Sequence, residues 1–130
     1  MYIGNGAPDW DGFYDACDGD SPLWPVIRVL RALQEFHNGD SETYLVTGRR
    51  DNTEDKTRRW MHDFCIPFDA LIMRRSGDYR SDWVLKREWW RGSHIAREAV
   101  AAVFEDRNST VDMWRGEGLT VFQHTGDGDF

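Results

Sequence analysis

Thr43-Tyr44-Leu45-Val46-Thr47-Gly48-Arg49 decides the fold: a β-branched and aromatic run that stops abruptly at a hydroxyl, a glycine and a guanidinium. A second stretch of the same kind, Ala99-Val100-Ala101-Ala102-Val103-Phe104, runs into Glu105-Asp106-Arg107. In an open parallel α/β sheet, ligands bind in the crevice outside the carboxyl ends of the strands. Here those ends would carry a hydroxyl, a guanidinium and two carboxylates, a set suited to holding a phosphate and a divalent metal.

Working outward, each strand has helical neighbours. Ser21-Pro22 reads as a cap followed by a first-turn proline. Val26, Val29, Leu30, Leu33 and Phe36 then recur at helical spacing until Asn38-Gly39 stops the helix. Asp51, Thr53, Glu54 and Asp55 make an acidic helix start favoured by the dipole, with Thr57, Trp60, Met61 and Phe64 as the buried face. Ala70-Leu71-Ile72-Met73 is the next strand, and a polar loop from Arg74 to Ser81 leads into a helix containing Trp83, Val84, Lys86 and Trp90. A helix near Ser109–Gly116 and a strand Leu119–Phe122 follow the 99–104 run. Strands alternating with helices imply right-handed crossovers and a parallel sheet covered on both faces: four parallel strands ending near Thr47, Met73, Phe104 and Phe122. Trp60, Trp83 and Trp114 read as packing anchors, and so does the Trp89-Trp90 pair.

Composition narrows the classes. The 130 residues suffice for one domain with its own core, and 40% hydrophobic with 30% charged residues is neither disordered nor membrane-spanning. No signal-peptide pattern begins the chain, so a cytoplasmic location is expected. Cys17 and Cys65 lie outside any CxxC pattern, and the four histidines lack ligand spacing, which gives zinc little support. A net charge of −7 argues against a broad grip on nucleic acid but leaves room for a local basic pocket among the arginines of the middle third. No P-loop or dinucleotide glycine fingerprint supports a nucleotide-binding or response-regulator-like alternative.

Thr47-Gly48-Arg49, then Met73-Arg74-Arg75-Ser76-Gly77-Asp78, then Asp82-Trp83-Val84-Leu85-Lys86, then Glu105-Asp106-Arg107 form an ordered set. That set resembles the haloacid dehalogenase (HAD) superfamily, and within it the 3′-phosphatase domain of phage polynucleotide kinase/phosphatase. Val111–Arg115, the ending Gly128-Asp129-Phe130 and the Pro8–Asp11 segment are similar too, so the likeness covers nearly the whole chain from about Pro8. It implies a three-layer α/β/α, Rossmann-like parallel sheet in a single domain over residues 1–130. It also implies Mg²⁺-dependent removal of a phosphate from a small molecule or a nucleic-acid 3′ end. By the same resemblance Thr47 would offer its hydroxyl to the transferring phosphoryl. Gly48, Arg49 and Arg74 would bind phosphate oxygens, Lys86 would neutralise charge beside the nucleophile, and Asp106 and Glu105 would hold Mg²⁺. Members usually have two aspartates at the last pair, so Glu105 is a departure.

Such enzymes attack phosphorus with an aspartate that ends the first, central strand, and a second aspartate two positions later serves as acid and base. Asp9-Trp10-Asp11-Gly12 has the DxDG spacing, but Pro8 directly before it is unsuited to a central strand. An acidic loop is the better reading of Asp9 and Asp11. The expectation is therefore a domain N-terminally truncated relative to the family, with its central strand absent or incomplete and its catalysis impaired. The alternative is a catalytically silent module that binds phosphate or a partner. Expected partners are a phosphorylated ligand, a second copy meeting the incomplete sheet, or a kinase domain elsewhere, with no membrane.

Overall fold

The computed structural model, which describes residues 24–37, 40–63 and 68–124, begins at helix α1 (Trp24–Phe36). The buried face of α1 differs from the expected apolar set. Ile27, Leu30 and Gln34 point inward, whereas Val29 is 50% and Phe36 81% exposed. The inward stripe keeps the three-then-four spacing of a helix face, but a glutamine completes it. Gln34 can be buried because its amide is satisfied: it donates to Thr43 Oγ1 (3.2 Å) and accepts from Arg31 Nη1 (2.9 Å). That pair pins α1 to the start of the next strand.

Strand β1 (Tyr44–Arg50) passes through a short 3-10 turn at Asp51–Thr53 into α2 (Glu54–Asp63), and the chain returns as β2 (Ala70–Arg74). The strands pair in parallel, Tyr44 opposite Ala70, Leu45 opposite Leu71 and Val46 opposite Ile72. Asp69 locks the entry by accepting the Thr43 N–H at 3.0 Å on its side chain while its own N–H donates to Thr43 O at 2.8 Å. Thr57 and Met61 are buried on α2, as expected. The Phe64 position, the Trp60 side chain, the Ser21-Pro22 cap, the Asn38-Gly39 stop, both cysteines, the terminal residues 125–130 and Asp9 and Asp11 lie outside the description.

Helix α3 (Asp82–Gly92) packs on both β1 and the later helix α4 (Asn108–Gly116). Trp90 of α3 meets Trp114 of α4 edge-to-face at 6.4 Å, and around them Val111, Met113, Leu119 and Val121 complete a buried cluster. Fully burying side chains of this size is worth roughly 1.5–3 kcal/mol each. Trp89, by contrast, is half-buried with its ring 5.9 Å from Tyr44.

The long strand expected over 99–104 is much shorter. Arg97–Ala99 form a 3-10 turn, and β3 comprises only Val103–Glu105. An alanine-rich apolar run carries no strong β preference, so it begins as a turn. β3 pairs in parallel with β4 (Val121–Gln123), in register from Val103 opposite Val121 to Glu105 opposite Gln123.

The α/β architecture with parallel strands is as expected, and the strands fall into two pairs. Among the described residues β1 pairs only with β2, and β3 only with β4. An apolar cavity of about 200 Å³ lies in the break, with Leu45 and Val46 contributed by β1 and Val103 and Phe104 by β3. No described helix is long and apolar enough to cross a membrane.

Candidate functional site

The carboxyl ends of β1 and β2 do not stay in step. Three residues, Thr47, Gly48 and Arg49, lie between the paired Val46 and Arg50, where β2 has Met73 alone between Ile72 and Arg74. The surplus pushes this segment out of the ladder, as a bulge does. The Arg49 N–H turns back to Thr47 Oγ1 at 3.2 Å. Beside this bend a cleft of about 570 Å³ opens, lined by Thr47, Met73, Arg74, Arg80, Lys86 and Trp89 among others.

Lys86 reaches it from α3. Its side chain is 9% exposed, and Nζ lies 3.0 Å from Asp82 Oδ2 and 3.0 Å from Glu105 Oε2. Asp82 and Lys86 are one helical turn apart and so share a face, and Asp82 also stands in the positive first turn of α3. The two carboxylates are 10% and 9% exposed, so one ammonium neutralises a pair of buried anions. Glu105 Oε1 takes the Asp106 N–H at 3.2 Å, so both oxygens of Glu105 are engaged.

Gly48 is required here by space. A Cβ at this position would stand 2.2 Å from Asp82 Oδ1 and 3.1 Å from Asp82 Cγ. Only a residue without a side chain lets β1 run this close to the carboxylate. Asp82 Oδ1 itself is buried with no hydrogen-bond partner among the described residues.

Arg74 organises the rim. Its Nε donates to Gly48 O at 2.9 Å, and Nη1 donates to Asp78 O at 3.0 Å and to Arg80 O. A planar fork can hold the end of β1 and both sides of the 75–80 loop at once. The loop is fastened further by Ser76, whose N–H and hydroxyl both donate to Asp51 Oδ1, at 3.0 and 2.8 Å. These bonds hold the Asp51 carboxyl below its usual range. Arg80 donates to Asp78 and Glu88, and its hydrogen bonds lower Asp78 to about 2.

The residues singled out from sequence therefore separate. Thr47, Arg74 and Lys86 line one cleft, and Gly48 packs against the carboxylate that holds Lys86. Arg49 is exposed and does not line that cleft. Glu105 is buried in its ion pair, while the neighbouring half-buried Asp106 carboxylate has no hydrogen bond or ion pair to the described residues. The described residues contain no group of three or more His, Cys, Asp or Glu placed to hold a metal ion. Asp82 is the residue whose part the sequence reading missed. Its signal was the DxxxK spacing, which sets acid and base on one helical face.

The polynucleotide kinase PNKP phosphatase domain is the family pattern that matches residues 11–130. A curated relative, a "putative bifunctional polynucleotide kinase/RNA ligase" of Autographa californica nuclear polyhedrosis virus, is 32% identical over 105 residues, 79% of this chain and 15% of the relative. Two solved structures of Pnkp1/Rnl/Hen1 are similar, one of them called an RNA repair complex. The first superposes with a TM-score of 0.68 at 26% identity, covering 98% of this chain and 43% of that one. The second gives 0.74 at 28% identity, covering 99% and 47%. This chain thus spans less than half the length of each of these relatives. By the extent of the family match, the chain belongs to the HAD-like phosphatase domains of the PNKP polynucleotide kinase family.

Proposed function

We propose that this chain binds the phosphate at a nucleic-acid 3′ end in the Thr47–Arg74–Lys86 cleft and serves Mg²⁺-dependent hydrolysis of that phosphomonoester. The supporting observation is local charge. In a chain of net charge −7, Arg80 in this cleft is matched by Asp78 and Glu88 and Lys86 by Asp82 and Glu105, while Arg74 and Arg75 line it with no ion pair to the described residues. Family membership points to the same chemistry.

Each residue has a donor left for a phosphate. The Thr47 hydroxyl already accepts the Arg49 N–H, so its own proton is available to a phosphoryl oxygen. Arg74 keeps Nη2, which makes no hydrogen bond to the described residues. Lys86 has three N–H donors and two carboxylate partners, which leaves one for the ligand. Asp106 suits Mg²⁺, a cation that takes one or two carboxylates and completes its shell with water and phosphate oxygens; bound there it would neutralise phosphoryl charge. Glu105 does not suit direct ligation, because Lys86 and the Asp106 N–H engage both its oxygens.

The covalent step requires a carboxylate nucleophile at phosphorus. Among the described residues the acidic side chains lining the cleft, Asp78 and Glu88, are both paired with Arg80. From Pro8 standing directly before Asp9-Trp10-Asp11, a setting unsuited to a strand-end nucleophile, we infer slow turnover, and the same feature favours a second reading, phosphate binding without turnover. A cytoplasmic setting, action beside a kinase domain and self-association at the break between the strand pairs complete the proposal.

The test pairs binding with turnover. Calorimetry without metal should show that a 3′-phosphorylated oligonucleotide binds more tightly than its 3′-hydroxyl counterpart, with the preference weakened by Thr47→Val. Equal affinity for the two ends would sink the assignment. Phosphate release with Mg²⁺ should be slow and indifferent to Asp9→Asn. Fast release abolished by Asp9→Asn would instead make Asp9 the nucleophile.

A further inference from the structure

Tyr79 is 78% exposed, an unusual position for a large aromatic residue in a loop that is otherwise well fastened. The residues on either side are both gripped by Arg74, whose Nη1 donates to Asp78 O and to Arg80 O. Two residues earlier, Gly77 adopts φ +92°, a conformation that suits glycine and lets the loop turn back sharply. Ser76 is tied to Asp51 through both its N–H and its hydroxyl. The ring is thus held outward by an ordered frame.

Its surroundings suit an anionic, aromatic ligand. The Arg50 guanidinium lies 5.1 Å from the ring centroid, a cation–π distance. Arg50 is the last residue of β1, three positions after Thr47. The open hollow formed by residues 75–80 shares Arg75, Asp78 and Arg80 with the phosphate cleft. A chain whose end lies in the cleft can therefore continue over Tyr79.

The geometry points to Tyr79 as a base-stacking platform that, with Arg50, receives one of the last bases of a nucleic-acid strand whose 3′ end occupies the cleft. The inference rests on the reading of that cleft as a 3′-phosphate site and adds a determinant for polynucleotides over small phosphate esters. Stacking on an aromatic ring tolerates any base, because every base offers a π-face. A neighbouring guanidinium supports both the ring and the strand's phosphates. A protein partner would be expected to use a broader apolar patch, and among the loop residues 75–80 only Tyr79 is a large apolar side chain.

Fluorescence anisotropy with a 5′-labelled, 3′-phosphorylated oligonucleotide tests this in the absence of metal. Tyr79→Ala should weaken binding on the order of ten-fold, and Tyr79→Phe should leave it unchanged. Probes with a single abasic site at each of the last three positions supply the second arm. At one position the abasic site should weaken the unmodified protein about as much as Tyr79→Ala does, and should add little to that variant. Competition by inorganic phosphate should be the same in both proteins. Tyr79→Ala binding like the unmodified chain, or an abasic loss equal in both proteins at every position, overturns the platform. If the platform responses hold but the 3′-hydroxyl oligonucleotide binds equally well, the phosphate reading fails and the stacking site stands. Absence of any oligonucleotide binding overturns both.

Discussion

Lys86→Met is the sharpest test of the site's construction. The substitution keeps the length and apolar stem of the side chain but removes the ammonium that lies 3.0 Å from both Asp82 and Glu105. Two carboxylates, 10% and 9% exposed, then face each other without a cation. Removing one partner of a buried ion pair costs about 3–5 kcal/mol, and the loss here lies toward the upper end because two anions are orphaned together. For a domain of this size that is a fall in Tm of about 12–20 °C. Circular dichroism melts at neutral pH measure it. Lys86→Met/Asp82→Asn/Glu105→Gln should recover most of the loss, since neutral amides of the same shape remove the repulsion and can hydrogen-bond one another. A Lys86→Met protein that melts within about 3 °C of the parent would refute the buried-triad account.

Three further outcomes follow from neighbouring contacts. Gly48→Ala should cost about 1–3 kcal/mol by thermal melting, because its Cβ would stand 2.2 Å from Asp82 Oδ1; shortening Asp82 to Ala in the same protein should make the alanine at 48 nearly neutral. Asp78, lowered to about 2 by Arg80, should still be ionised at pH 3. With the folded value depressed, its stabilising pair is complete above the ordinary carboxylate range and disappears as pH falls through about 2, which a carboxyl-carbon NMR titration would follow. Arg74→Lys should keep the charge but lose the fork that bonds Gly48, Asp78 and Arg80, so amide exchange over residues 75–80 should accelerate while α4 is unaffected.

Much of this was legible from residue order. Short apolar runs bounded by polar turns located β1, β2 and β4, and the acidic start and apolar spacing located α2. Periodicity erred where a polar residue is part of the core. Counting only apolar side chains placed Val29 and Phe36 inside α1, whereas Gln34 is 2% exposed because Arg31 and Thr43 satisfy its amide. The 99–104 run shows the other failure, since apolar composition alone does not separate a strand from an extended approach to one. At the site, Thr47, Arg74 and Lys86 were found through their motifs. Asp82 was passed over because the DxxxK spacing shows its pairing with Lys86 but not its tertiary contact with a glycine 34 positions earlier.

The division of the strands into two parallel pairs has a kinetic meaning. Each pair is closed by one contiguous stretch of chain, residues 44–74 for one and 103–123 for the other. The paired residues are at most 26 and 18 positions apart, much closer in the chain than β1 and β3 are, so less loop entropy is lost in making these pairs than in joining them. Each pair can therefore nucleate as its own cooperative unit, with the two joined late when α3 seats Trp90 against Trp114 and Lys86 against Glu105. Pulse-labelling hydrogen exchange should show β1–β2 and β3–β4 amides protected before those of α3, and simultaneous protection of all three would contradict that order. The phosphate cleft, which needs residues from both β1 and α3, would then be among the last features of the molecule to exist.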